Sequence, residues 1–219
     1  LEPFTSEHAI DDPRSVEPLT EWESYGPRKA ECDRVCFAAA EDGANALVVR
    51  PTYVFGPSDY TERFDYWVDR LATHENVLVP GDGDNLVHQV YVEDVASALR
   101  LVAKRGKPGE AYNVGARHLG PLDERLNLIA EALDRDVELV YASRRELAAF
   151  GLEPSDFPLF RPRPVVVDTG KLSALGWDST QPPDAVRSTV EEHVLSNRTG
   201  RHHGPDRGLE QQAINQLTS

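Results

Sequence analysis

The sequence has 219 residues, 40% of them apolar, which is enough to bury the core of one large domain or two small ones. Acidic residues outnumber basic ones 37 to 23, and the net charge of -14 disfavours general binding to nucleic acid or to an anionic membrane surface. No run of about 18 apolar residues occurs, so we expect no membrane-spanning helix.

Lysine and cysteine usage indicates the kind of organism and the cellular compartment that the protein comes from. Only four basic residues are lysine, and an acidic, lysine-poor composition favours a protein of a salt-loving microbe over a merely acidic cytosolic one. The two cysteines, Cys32 and Cys36, have no second pair at zinc-site spacing, so we expect packing roles, no bound metal and a cytoplasmic location. The N-terminus lacks signal-peptide features, and with no methionine we expect that residue 1 is not the natural start.

The first third of the chain has the order of an α/β protein. Three prolines among carboxylates predict an irregular segment over residues 1–20. A helix is predicted over 21–41, with Val35, Ala38 and Ala39 on its apolar face, and the run "NALVVRP" predicts a buried strand. A helix followed by a short turn and a buried strand indicates a parallel sheet.

The remaining elements alternate in the same way. Phe64, Trp67, Val68 and Leu71 form the stripe of a helix over 60–72, and Val95, Ala98, Leu99 and Val102 that of a helix over 93–106. Further strands are predicted at 76–81, 88–92, 110–115 and 137–142, and further helices at 122–136, 144–152, 168–177 and 182–197. Residues 198–219 are polar and turn-rich at first, with at best a weak helix at their end, and we expect a mobile tail there.

Tyr25 and Lys29 form a candidate catalytic pair. Four-residue spacing on a helix places both side chains on one face, about 6 Å apart at Cβ. A nearby ammonium favours phenolate over phenol, so such a tyrosine can accept or return a hydroxyl proton. In isolation the pattern is common, and two ordinary helix residues are its more frequent explanation.

Four segments in series carry a more specific signal: "SYGPRKAECDRV", "VVRPTYVFGP", "GDGDNLVHQVYVEDVASAL" and "AYNVG". In this order and spacing, from about residue 4 to about 197, they resemble the extended short-chain dehydrogenase/reductases of the NAD-dependent epimerase/dehydratase family. The resemblance implies an α/β fold: the C-terminal part of a Rossmann-type doubly wound parallel sheet with a small α+β substrate lobe. It divides the chain into residues 1–55 of the nucleotide-binding domain, a lobe over 56–197 interleaved with returning sheet elements at about 90–115, and the tail.

The resemblance also implies roles for single residues. Tyr25 would be the catalytic acid/base, and Lys29 would hold the nicotinamide ribose. The cofactor is expected to be NAD or NADP, and the residues expected along its nicotinamide are Pro51, Thr52 and Val54. The residues expected at the substrate are Tyr53, Phe55, Val87, Tyr91 and Arg161.

Two features depart from the family pattern. No glycine-rich phosphate loop follows a strand, and "PGDGDN" is interpreted as a turn, so we expect this chain to be the C-terminal portion of a longer enzyme. That loop and the third catalytic residue, a Ser or Thr, would lie upstream. Val87 and His88 stand where sugar-nucleotide epimerases have an Arg-Asp pair whose arginine binds the diphosphate. Arg161 and Arg163 have two interpretations: they supply that positive charge instead, or they belong to a solvated loop.

The expected function is therefore hydride exchange on a sugar or sugar nucleotide. Oxidation of a steroid-like alcohol to its ketone, or the reverse reduction, by the same pair is the alternative, because the diphosphate-gripping arginine is absent. A non-catalytic scaffold or RNA-binding member is a third interpretation, which the net charge of -14 disfavours. The resemblance also predicts a homodimer built on the helix that carries Tyr25.

Overall fold

The computed structural model describes residues 25–161, 163–200 and 203–219 of the chain as a mixed α/β protein. The sequence predictions for residues 1–24 lie outside these ranges. The helices are α1 (Tyr25–Glu41), α2 (Arg63–Thr73), α3 (Val92–Arg105), α4 (Leu122–Ala132), α5 (Arg144–Ala148), α6 (Gly170–Ser173), α7 (Pro182–Ser196) and α8 (Arg207–Leu217). The strands are β1 (Val48–Pro51), β2 (Tyr53–Phe55), β3 (Asn76–Pro80), β4 (Leu86–Val87), β5 (Gln89–Tyr91), β6 (Ala111–Val114), β7 (Gly120–Pro121) and β8 (Glu138–Ala142).

The strands pair two by two, and three of the four pairs are parallel. β1 runs beside β6, β2 beside β5 and β3 beside β8, whereas the short β4 and β7 are antiparallel. Each parallel pair is joined by a long crossover that contains at least one helix, as parallel pairing requires. The predicted α/β class with parallel pairing is confirmed.

Local sequence explains where several helices begin and end. α3 has Glu93 and Asp94 in its first turn and Lys104 and Arg105 in its last, so its charges complement the helix dipole. α5 begins with a capping box in which Ser143 and a glutamate exchange hydrogen bonds. α7 begins with two prolines, which cost nothing where the first N–H groups have no partner.

Two hydrophobic clusters make up the core. The larger one surrounds Trp67 of α2 and is built from α2, α4, α7, α8 and the β3–β8 pair. The smaller one surrounds Val114 of β6 and includes Val90, Ala98, Val102 and Trp177. We call the part of the structure that packs on the larger cluster the lobe, and the smaller cluster is the core beside the β1–β6 pair.

The β2–β5 pair lies between these clusters. Phe55 and Tyr91 belong to the larger cluster, whereas Val54 and Val90 lie with the smaller one. Because successive side chains of a strand point to opposite faces, one face of the pair contacts each core. Gly56, with φ of 141°, then turns the chain against α3, where an added Cβ would lie 2.6 Å from Val92 Cγ1.

A buried ionic cluster joins α2 to α7. His193 Nδ1 lies 3.0 Å from Asp65 Oδ1, and His193 Nε2 lies 2.9 Å from Asp69 Oδ1. Arg198 donates to the second oxygen of Asp65 through Nε at 3.1 Å. The hydrogen bonds from both ring nitrogens hold the C-terminal end of α7 against α2.

Two predicted apolar faces are wrong in part. On α1, Ala30 is buried, whereas Val35 is 60% exposed and Ala38 is exposed too. On α3, Ala98 and Val102 are buried as predicted, but Leu99 is 51% exposed. In both cases the apolar residue lies beyond the strip of helix that the described sheet covers.

The C-terminal segment differs from the mobile tail that the sequence predicts. Residues 207–217 form α8, whose Glu210, Ala213 and Ile214 are buried. Glu210 accepts hydrogen bonds from Tyr66 at 2.5 Å and Arg70 at 2.9 Å, both on α2. Burial and these bonds attach α8 to the lobe, because a glutamate 1% exposed is retained only where donors surround it. The other domain boundaries stay a prediction. No helix in the described ranges is both long and apolar enough to cross a bilayer.

Candidate active site

Tyr25 and Lys29 lie together at the start of α1. The ammonium of Lys29 is 5.8 Å from the centre of the Tyr25 ring, and the tyrosine is 56% exposed. The helix spacing therefore brings the two side chains onto one face, and more than half of the tyrosine is exposed. This is the arrangement that proton exchange with a bound hydroxyl group needs.

The position of α1 places this pair past the end of a parallel strand. Asp33 of α1 forms a 2.7 Å ion pair with Arg50, the residue before the last of β1. Tyr25 precedes Asp33 by two helical turns, which is about 12 Å of helix. Because α1 and β1 run in opposite directions across a short turn, Tyr25 extends beyond the carboxyl end of β1. Ligands of open α/β sheets bind at that edge.

The residues expected along the nicotinamide form the same edge. Pro51 ends β1 opposite Val114, and the Thr52 backbone N–H donates to the Val114 carbonyl at 2.9 Å. The Thr52 hydroxyl is buried and has no hydrogen-bond partner among the described residues. Val54, in β2, packs on the smaller core. The edge thus presents one unsatisfied hydroxyl between apolar neighbours.

Tyr53 and Arg161, expected at the substrate, are in direct contact. Arg161 Nε donates to the Tyr53 hydroxyl at 3.0 Å, and the guanidinium lies 5.6 Å from the ring centre. Arg161 comes from the loop between α5 and α6, 108 residues further along the chain. Arg163, the other cation considered in that loop, is exposed.

Three other residues expected at the substrate are buried in the lobe core. Phe55, Val87 and Tyr91 are 3%, 4% and 6% exposed. The Tyr91 hydroxyl forms a 3.1 Å hydrogen bond with Ser188 Oγ of α7. These side chains belong to the larger hydrophobic cluster, and their contact with a ligand stays a prediction.

His88, one of the two residues that replace the Arg-Asp pair, joins two segments of the backbone through hydrogen bonds. Its Nε2 lies 2.9 Å from the Ala116 carbonyl, and its Nδ1 accepts from the Val167 N–H at 3.2 Å. Burial lowers the pKa of His88, so the ring is neutral and donates through Nε2. It fastens the turn after β6 to the segment before α6 and carries no charge for a phosphate.

Two arginines at this site escaped the sequence analysis. Arg63 lies 5.6 Å from the centre of the Tyr53 ring, and Arg125 lies 5.2 Å from the centre of the Phe55 ring. Arg125 is buried although it stands in the apolar stripe of α4, three residues after Leu122 and four before Ile129. A charged residue at an inward position of an amphipathic helix is the signal that could have identified it.

Curated relatives match most of this chain. A dTDP-glucose 4,6-dehydratase of Salmonella typhimurium is 28% identical over 183 residues, which cover 80% of this chain and 48% of the relative. The low-salt glycan biosynthesis protein Agl12 of Haloferax volcanii is 29% identical over 164 residues, which cover 74% of this chain and 49% of that protein. The chain thus spans about half the length of these relatives.

Solved structures and a family model agree on the class. A dTDP-glucose 4,6-dehydratase of Bacillus anthracis, solved in complex with NAD, superposes with a TM-score of 0.64 at 20% identity and covers 90% of this chain and 57% of that one. This likeness shows a Rossmann-type fold. The model of the NAD dependent epimerase/dehydratase family matches residues 4–115, half of the chain. The predicted resemblance is confirmed: this chain belongs to the NAD dependent epimerase/dehydratase family.

Proposed function

We propose that this chain carries the acid/base pair and the substrate side of an NAD(P)-dependent epimerase or dehydratase that acts on a sugar nucleotide. The single observation that carries this proposal is the Tyr25–Lys29 pair, with its exposed phenol beyond the carboxyl end of β1. The relatives named dTDP-glucose 4,6-dehydratase support the substrate class, because they match most of the chain.

The edge of the β1–β6 pair fits a nicotinamide cofactor. The buried Thr52 hydroxyl lacks a partner, and a ribose hydroxyl or a carboxamide would supply one. Lys29 has no acidic partner among the described residues, so its ammonium donors are free for ribose hydroxyls. A bound nicotinamide would supply hydride exchange at this edge.

The chain's own residues then have simple tasks. The phenolate oxygen of Tyr25 would take the proton of the substrate hydroxyl as that carbon is oxidised, and the phenol formed in this way would return a proton when the carbonyl is reduced. Lys29, whose ammonium lies beside the Tyr25 ring, would hold the ribose in place. Tyr53, with Arg161 against it, lies on the substrate side of the same strand edge.

The test measures cofactor binding and turnover separately, with the full product of the gene. Tyr25→Phe should bind NAD(H) normally by fluorescence but turn over nucleotide sugars about 10²- to 10⁴-fold more slowly, because the proton carrier is lost. Tyr60→Phe is the matched control, since Tyr60 is 93% exposed. Undiminished turnover of the Tyr25 variant would refute the catalytic assignment.

A dehydrogenase of ketones or steroid-like alcohols is the second candidate. The observation that favours it is Val87, a buried apolar side chain where a diphosphate-gripping arginine is expected. The same assay with alcohols that carry no phosphate separates the two. Turnover of such alcohols, without turnover of nucleotide sugars, would establish the alternative.

We also propose a cytoplasmic homodimer that is built on α1. Val35 is 60% exposed on this helix, and burying it against a second copy would remove apolar surface from water. Val35→Glu should convert the dimer to a monomer in light scattering, with Leu195→Glu at an exposed apolar position of α7 as the control. A dimer that persists in the Val35 variant would exclude this interface.

A further inference from the structure

We propose that the buried ionic cluster around His193 holds the loop between β2 and α2 in place and releases it when His193 loses its proton. This loop, residues 56–62, is called the β2–α2 loop below. It begins directly after the strand that carries Tyr53, so its attachment decides how the chain leaves that strand. The inference goes beyond the proposed function and does not depend on it.

The β2–α2 loop has a conformation that its own residues disfavour. Ser58 and Glu62 have φ of 63° and 53°, in the left-handed region that residues other than glycine rarely adopt. Among the described residues, Glu62 Oε2 is also buried without a hydrogen-bond partner. Tyr60, between these two residues, is 93% exposed and adds no packing. Such a backbone persists only where contacts from outside the segment compensate for its strain.

The end of α7 supplies two such contacts. The Ser58 N–H donates to Glu192 Oε2 at 3.4 Å, and Arg198 Nη2 donates to the Asp59 carbonyl. Glu192 lies in the last turns of α7, and Arg198 follows that helix by two residues. Because a 3.4 Å hydrogen bond is long and weak, we take Arg198 as the main attachment of the loop.

Two acidic side chains of α2 hold Arg198 and the residues after it. Arg198 donates to Asp65 Oδ2 through Nη2 at 2.7 Å and through Nε at 3.1 Å. The Gly200 N–H donates to Asp69 Oδ2 at 2.7 Å, and an added Cβ on Gly200 would collide with the backbone of α2. Asp65 and Asp69 therefore anchor residues 198–200, and through Arg198 they anchor the β2–α2 loop.

His193 connects these two carboxylates. Its Nδ1 lies 3.0 Å from Asp65 Oδ1, and its Nε2 lies 2.9 Å from Asp69 Oδ1. Only the protonated ring can donate from both nitrogens, so a neutral ring would turn a lone pair toward one of the carboxylates. Acidic side chains four residues apart on a helix also repel each other when no cation lies between them. Loss of the proton therefore weakens the anchor of residues 198–200.

The charged groups around His193 determine the pH at which this happens. Burial by itself lowers the pKa of His193, but hydrogen bonds to Asp65 and Asp69 outweigh it and raise the pKa to about 9. The further charged groups of the cluster are Arg198, Glu192 and Asp59. Helix α4 also packs on α7, but in the described ranges none of its charged residues forms an ion pair with His193. The loop is therefore attached below pH 6.5 and is released as the pH rises through about 9.

The test follows a spin label on the β2–α2 loop by electron paramagnetic resonance, in the full product of the gene. Tyr60→Cys carries the label through a thioether, in a protein whose two native thiols are removed by Cys32→Ser and Cys36→Ser. The label should be ordered at pH 7 and mobile at pH 10, with a midpoint near pH 9. The ratio of attached to released loop should fall about 10²-fold from pH 6.5 to 10, because release returns the pKa of His193 toward 6.5.

Matched variants separate release of the loop from unfolding. In His193→Asn the label should be mobile already at pH 7 and insensitive to pH, because asparagine does not titrate and cannot bridge both carboxylates. Arg198→Lys should also give a mobile label at pH 7, since one ammonium cannot replace the forked contacts to Asp65 and the loop. A label at Leu99→Cys, 51% exposed on α3, should keep its line shape throughout.

Three results would overturn the proposal. The first is a Tyr60→Cys label with the same mobility at pH 7 and pH 10. The second is an equal pH response in His193→Asn, and the third is an equal response of the label at Leu99→Cys, which would indicate general loosening of the fold. If His193→Asn does not fold, an ordered label in Arg198→Lys at pH 7 overturns the proposal instead.

Discussion

Replacing His193 with Asn should remove a pH-dependent contribution to stability that comes from the ionic cluster between α2 and α7. Burial by itself lowers the pKa of His193, but hydrogen bonds from both ring nitrogens to Asp65 and Asp69 outweigh it and raise the pKa to about 9. The unfolded value is 6.5. The folded state therefore binds the proton of the His193 ring more tightly than the unfolded state does.

The magnitude follows from these two values. A tenfold change in proton affinity is worth about 1.4 kcal/mol, so the raised pKa of His193 stabilises the folded protein by about 3 kcal/mol. Because the folded pKa is the higher one, this stabilisation is complete below pH 6.5 and is lost as the pH rises through about 9. Between pH about 7 and 10 the loss should be about 2.5 kcal/mol.

The assay is urea unfolding of wild-type protein and His193→Asn at a series of pH values. Other groups titrate at high pH, so the informative quantity is the difference in free energy of unfolding between the two proteins. That difference should be largest near pH 7 and shrink toward pH 10. His118→Asn, with a side chain 47% exposed, is the control that should show little change. A difference that is constant from pH 7 to 10 would refute the reasoning.

Three further changes test other parts of the structure. Lys29→Met should weaken NAD(H) binding about 10- to 100-fold in a fluorescence titration, because an ammonium that holds the ribose is lost; unchanged affinity would contradict that role. Glu210→Gln should lower the free energy of unfolding by about 1–3 kcal/mol, since the bonds from Tyr66 and Arg70 lose their charge, whereas the exposed Glu191→Gln should not. Gly56→Ala should lower the free energy of unfolding by about 1–3 kcal/mol in thermal unfolding, because its Cβ would lie 2.6 Å from Val92 Cγ1. An equal effect of Gly26→Ala, where no atom lies within 4 Å of the added Cβ, would count against this cause.

Periodicity predicted most of the helices and the longer strands. α2 is the clearest case, because Phe64, Trp67, Val68 and Leu71 recur at helical spacing and all are buried. The three strands β2, β4 and β7 were missed, since two or three residues are too short to show an alternating pattern. Their existence depends on partners far along the chain, which local sequence does not reveal.

The failure on α1 and α8 has a different physical origin. The prediction for α1 placed its apolar residues against the core, and the prediction for residues 198–219 took their polar composition as a sign of mobility. Val35 is exposed because no described element covers that side, and α8 is docked because Tyr66 and Arg70 offer donors to Glu210. Pairings of this kind join residues about 140 positions apart, so they follow from the tertiary fold and not from periodicity.

The candidate site was predictable to the extent that short motifs carry it. The spacing of Tyr25 and Lys29 predicted a shared helix face, and the structure places the two side chains together. The positions of Arg63 and Arg125 were not foreseen, because these residues come from α2 and α4 and reach the rings of Tyr53 and Phe55 only in the folded chain. Arg125 was overlooked because the other buried residues on its face of α4 are apolar.

The alternation along residues 52–55 has a consequence for how this site tolerates change. Thr52 and Val54 face the half expected to hold the cofactor, while Tyr53 and Phe55 face the arginines on the other side. Removing or inserting one residue here would reverse the faces to which the two sets point. The aromatic rings would then face the nucleotide half, and the smaller side chains would face the lobe. Point substitutions can tune either half separately, but the length of this four-residue stretch is a shared constraint on both.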